Sequence, residues 1–159
     1  MSIKNVNAIA DIEAISKDNK IITINNGSFY KIIPYEQNQK MIKIYLSFYA
    51  SIINGTDNFF AKNKKLYFQL RITDQDANTY SSFVLNEFEI DIENSIIQHH
   101  NKYVDFIADN RSYVLDLNLE GLNLNSSHFL TVLVKTENDM INGKGWTVQS
   151  ISPIGFKSK

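Results

Sequence analysis

Residues 71 to 83 read RITDQDANTYSSF and place Asp74, Asp76 and Asn78 at alternate positions. Oxygen-bearing side chains at this spacing open an EF-hand calcium loop, which also requires a glycine at its sixth position and a bidentate glutamate at its twelfth. Here Thr79 stands at the sixth position and Leu85 at the twelfth. The flanks alternate as strands do. The stretch is therefore read as a polar hairpin turn between Ile72 and Phe83, of the kind Asx side chains build. A looser calcium site on Asp74, Asp76, Asn78 and backbone carbonyls is the alternative, and no other cofactor is expected.

The remaining reactive residue types form no pattern that demands chemistry. His99 and His100 are adjacent, so their side chains diverge on a strand or a helix and suit one ion poorly. His128 is far away in sequence. Without cysteine, thiolate metal sites and thiol nucleophiles are excluded. No G-x-S-x-G elbow or glycine-rich phosphate loop is present. Glu87, Glu89 and Asp91 share a strand phase, with neighbours about 7 Å apart. Paired carboxylates serve glycosidases, but the wet side of a half-buried strand explains the pattern. The protein is read as a non-enzyme, with a hydrolase ranked last.

Aromatic residues carry the strongest hint of binding. Ten phenylalanines, eight tyrosines and one tryptophan are present. Tyr45, Tyr49 and Tyr67 fall on the polar phase of their runs, near Lys43, Gln69 and Arg71. A ring held there offers an apolar plate with a polar edge. It suits a sugar or a protein partner, or cross-strand pairs that merely stabilise the face. Trp146 follows a turn; burial is its first reading and a ligand shelf its second. Tyr45, Tyr49, Tyr67, Arg71 and Trp146 are thus the expected ligand-binding residues. Lys62, Lys64, Lys65, Tyr67 and Arg71 form a small basic-aromatic cluster, which suggests single-stranded nucleic acid. The net charge of −1 argues against a phosphate-dominated partner.

These residues must be held by strands. In residues 41 to 53, MIKIYLSFYASII, Ile42, Ile44, Leu46, Phe48, Ala50 and Ile52 share one phase and polar or amphipathic residues the other. KLYFQLRI, NEFEIDIE and SYVLDLNL repeat the alternation. KIITIN, SFYKIIPY, YVDFIA, HFLTVLVKT and GWTVQSISPI read as further strands. Turn signals separate them at Asn25-Asn26-Gly27, Asn54-Gly55, Asp109-Asn110 and Asn142-Gly143. The segment with Ile9, Ile12 and Ile15 fits a helix or a strand. ENSIIQHHNK reads as a loop or a single helical turn.

The expected fold is all-β, an antiparallel two-sheet sandwich of jelly-roll type, with a closed small β-barrel as the alternative. One domain is expected over residues 1–159, its tail frayed from about residue 156. No apolar run reaches the roughly 20 residues of a membrane-spanning helix, and the N-terminal stretch lacks the apolar core of a signal peptide. The expected location is cytoplasmic at synthesis. The expected role is a binding or assembly module with a carbohydrate or protein partner, self-association included. A richness in Asn, Ile and Lys suggests an AT-rich genome and a phage or mobile-element structural protein that joins a virion. The alternative is a single-stranded nucleic-acid-binding barrel.

Overall fold

The computed structural model describes residues 3–25, 30–74, 83–101 and 104–159. In chain order the elements are β1 (Val6–Ile15), β2 (Ile24–Asn25), β3 (Lys31–Tyr35), β4 (Met41–Ile53), α1 (Phe59–Lys62), β5 (Lys65–Asp74) and β6 (Phe83–Asp91). They continue with β7 (Gln98–Asn101), β8 (Val104–Asn118), a 3-10 turn (Leu119–Gly121), β9 (His128–Thr136), α2 (Glu137–Ile141) and β10 (Thr147–Ser158). The strands form a four-stranded sheet, β1-β4-β8-β7, and a six-stranded sheet, β2-β3-β10-β9-β5-β6. The two sheets stack as a sandwich and do not close into a barrel. Every pair is antiparallel except β3 with β10, which run parallel. No helix among the described residues is long and apolar enough to cross a membrane.

Alternation builds the core. Along β4 each even-numbered residue from Ile42 to Ile52 is buried, and the odd ones face outward. Leu66, Phe68, Leu70 and Ile72 of β5 meet them from the other sheet. At the centre, the ring of Phe48 lies 5.2 Å from Phe68 and 4.8 Å from Phe88, both edge-on, while Phe68 and Phe88 stack at 5.6 Å. Such pairs add to the area that the rings bury. Strand β9 breaks the alternation, because Leu130, Thr131, Val132, Leu133 and Val134 are all buried. Its outer face is covered, in part by α2, which packs on β9 and β5.

Several expectations need correction. Asp109-Asn110 is not a turn. Residues 104–108 and 112–118 belong to one 15-residue strand, β8, in which Asp109 and Asn110 pair with Ala50 and Tyr49. The chain uses Asp109 as an ion-pair partner: its carboxylate accepts from Arg111 Nε at 2.9 Å. ENSIIQHHNK contains a turn and then strand β7. Of the two readings open for the segment around Ile9, the strand is the one found, since its whole length pairs with β4. The tail is paired with β3. Phe156, Lys157 and Ser158 pair with Ile33, Pro34 and Tyr35, and the amide of Lys159 donates to Tyr35 O at 2.9 Å.

Candidate binding face

The expected ligand residues divide between two surfaces. Tyr45 and Tyr49 lie on the outer face of the four-stranded sheet, while Tyr67, Arg71 and Trp146 belong to the outer side of the six-stranded sheet. Sequence alternation marks a residue as outward without telling which sheet it faces away from. The structure therefore does not assemble one tyrosine platform.

On the six-stranded sheet, polar partners are mostly taken. Trp146 is half-buried and is not a core plug: the Lys135 ammonium lies 4.9 Å from its ring centroid. Lys135 is also the cross-strand neighbour of Tyr67, which is half-buried. Arg71 Nε donates to Gln69 Oε1 at 2.7 Å, and Gln69 Nε2 donates to Glu87 Oε2 at 2.7 Å. Burial lowers the pKa of the Arg71 guanidinium, with the Glu87 charge opposing. Lys65 faces Glu89 at 3.7 Å and Lys64 faces Glu93 at 3.6 Å, so these lysines of the basic cluster sit beside acidic partners. Thr73 and Thr131, also on the outer phase, are fully buried and joined through their hydroxyls at 2.8 Å.

The outer face of the four-stranded sheet is open. Ile9 is 55% exposed, Tyr49 43%, Tyr45 38% and Val114 56%. The register sets the rows across β1, β4 and β8: Ile9–Tyr49–Asn110, then Asp11–Ser47–Ser112, then Glu13–Tyr45–Val114, then Ile15–Lys43–Asp116. Tyr45 and Tyr49 are four residues apart on one strand, hence about 13 Å apart along the sheet. Ser47 and Ser112 in the row between them are short, so the face dips there. A concavity of about 340 Å³ spans the first two rows and includes Ile9, Asp11, Ser47 and Tyr49. A second, of about 550 Å³, covers the last two rows. Its wall is the turn after β1, where Asn19 adopts a left-handed conformation (φ 62°) and its Oδ1 accepts from Lys43 Nζ at 2.7 Å.

Charged groups on this face have partners within the protein, two carboxylates sharing one lysine. Lys31, reaching over from β3, holds Asp11 at 2.7 Å and Glu13 at 2.5 Å. Burial alone would lower the pKa of Lys31, but its hydrogen bonds and attraction to Asp11 and Glu13 outweigh burial and raise it. At the far edge of the sandwich, the Arg111 guanidinium stands 4.5 Å from the Phe88 ring centroid and donates to Glu89 O at 3.0 Å. Its pKa is raised, first by the hydrogen bond to Asp109. Arg111 thus ties β8 to β6 across the two sheets.

Asp76 and Asn78 lie outside the described residues, and the backbone of Asp74 pairs with His128 at the end of β5. His99 Nδ1 lies 2.7 Å from Asp105 Oδ1. His128 is buried, with its ring edge-on to Phe156. No cluster of three or more His, Cys, Asp or Glu suited to a metal occurs among the described residues.

Sequence reasoning missed Ile9, Asp11, Ser112 and Val114 as parts of the face. Ser112 and Val114 were visible as the outward phase of β8, and Ile9 as the outward phase of β1 once that segment is read as strand. No known protein family matches the chain, and no curated protein matches it. Among solved structures it is similar to the X-ray structure of Northeast Structural Genomics Consortium target SoR45, with a TM-score of 0.31 and 9% identity over 96% of this chain and 87% of that one. A likeness of that size carries no functional argument.

Proposed function

We propose that the protein is a non-catalytic binding or assembly module whose contact surface is the outer face of the four-stranded sheet. One observation carries this reading: Ile9, Tyr45, Tyr49 and Val114 stand 38–56% exposed together on one face. On the other sheet, outward positions such as Thr73, Thr131 and Leu133 are buried. Exposed apolar side chains gathered in one patch mark interaction sites, whereas scattered ones do not. The face is broad and shallow, so it suits a partner that lies along it, either a carbohydrate chain or a protein. A subunit of a phage tail or adhesion device would use the same face for assembly.

A glycan array and concentration-dependent light scattering together test the reading. The expected result is a signal in one of them that Tyr45→Ala with Tyr49→Ala abolishes and Tyr67→Ala with Trp146→Ala leaves intact. A blank array from a protein that stays monomeric at every concentration contradicts it.

A single-stranded nucleic-acid binder is the second reading. The pairing of Lys64 and Lys65 with Glu93 and Glu89 weakens it. Binding that falls steeply with salt would restore it.

A further inference from the structure

We infer that the ligand of this face is an uncharged, hydroxyl-rich chain, an oligosaccharide several sugar units long, laid along β4 over the rows from Tyr49 to Tyr45. The inference rests on the reading of this face as the contact surface and names what it contacts.

The order of residue types along the face favours a sugar over a protein. A protein interface has an apolar centre inside a polar rim. Here the order is reversed. The central row, Asp11–Ser47–Ser112, is polar and indented, and the tyrosines stand at either side of it. An apolar protein side chain seated in that dip would cover the hydroxyls of Ser47 and Ser112 and cut them off from water. A sugar meets both requirements. Its hydroxyl edge can exchange hydrogen bonds with Ser47, Ser112, Asp11 and Asn110, and its C–H face can lie on a tyrosine ring.

Charge points the same way. Asp11 and Glu13 are held by Lys31, and Lys43 is held by Asn19 and stands opposite Asp116 in the register. Three carboxylates against two lysines leave no positive excess to select a phosphate or an acidic polymer. An uncharged ligand bearing both donors and acceptors is the complement of such a surface. The distance adds a constraint: rings about 13 Å apart exceed the width of one sugar, so a single monosaccharide reaches one ring only. The two concavities together give room for a chain.

The experiment titrates the intact protein by calorimetry with cellohexaose, chitohexaose, maltohexaose, xylohexaose and mannohexaose, and with the matching monosaccharides. Near-ultraviolet dichroism controls for folding of each variant. The expected result is that at least one hexasaccharide binds, its monosaccharide binds far more weakly, and high salt changes little. Tyr45→Ala and Tyr49→Ala each weaken binding about tenfold, the value of one aromatic contact. Ser47→Val, which keeps the strand and removes the hydroxyl, also weakens it. If no hexasaccharide binds while the protein self-associates through a contact that Tyr45→Ala breaks, the inference is overturned and the contact face stands. If a hexasaccharide binds and only Trp146→Ala or Tyr67→Ala weakens it, both the inference and the contact face are overturned.

Discussion

Phe48 and Tyr49 are neighbours on β4, and the sandwich assigns them opposite fates. Phe48 is 2% exposed and packs against the rings of Phe68 and Phe88, at 5.2 and 4.8 Å. Replacing it with alanine removes that burial and leaves a cavity at the centre, a change that costs about 3–5 kcal/mol. Tyr49 is 43% exposed and contributes mainly through its cross-strand neighbours Ile9 and Asn110. Such pairs contribute roughly 0.2–1 kcal/mol each, so Tyr49→Ala costs about 1 kcal/mol. For a chain of this size each kcal/mol moves Tm by about 2–4 °C. Tyr49→Ala should therefore lower Tm by about 2–4 °C and Phe48→Ala by roughly three times as much or more. Urea unfolding reads the same contrast as a shift in midpoint at constant slope. Equal destabilisation by the two substitutions, within about 1 kcal/mol, would refute the assignment of inner and outer phases on β4.

Two further outcomes follow from local geometry. A Cβ on Gly155 would clash with the Tyr30 hydroxyl and lie 3.0 Å from its ring carbon, so Gly155→Ala should displace that ring and destabilise by about 1–3 kcal/mol. In a Tyr30→Ala background most of this penalty should vanish in a double-mutant cycle; an unchanged penalty would place the strain in the backbone of β10. Lys31 has a folded pKa raised above 10.5, so its contribution to stability is full below the unfolded value and is lost as pH rises through the folded one. The stability gap between the natural chain and Lys31→Met should thus stay flat from about pH 6, where the carboxylates are ionised, to about pH 10 and close above it. A gap that persists unchanged well beyond about pH 11 would show that the charge of Lys31 on Asp11 and Glu13 does not set it.

Much of the architecture was legible because alternation is a local property. Ile42 to Ile52 and Leu66 to Ile72 announce their inner faces within a few residues, and the structure buries them as read. What depends on distant partners was not legible. Asp109-Asn110 favours turns when alone, but pairing with β4 on one side and the Arg111 contact hold it in mid-strand. The C-terminal residues have an ordinary polar composition, and only β3, far earlier in the chain, gives them a partner. Trp146 was read first as core because large rings favour burial; its place beside Lys135 follows from the pairing of β9 and β10, which no local signal reveals. The candidate face was half legible. Tyr45, Ser47 and Tyr49 appear as one outward phase, but that Ile9 and Val114 flank them, and that Tyr67 does not join them, depends on sheet order.

The decisive question is which surface of the sandwich meets a ligand. Amide chemical-shift mapping by NMR during titration with the five hexasaccharides answers this most directly. The predicted result is a set of shifts centred on Ile9, Tyr45, Ser47, Tyr49 and Ser112. Shifts centred on Tyr67, Lys135 and Trp146, or none with any of the sugars, would contradict it.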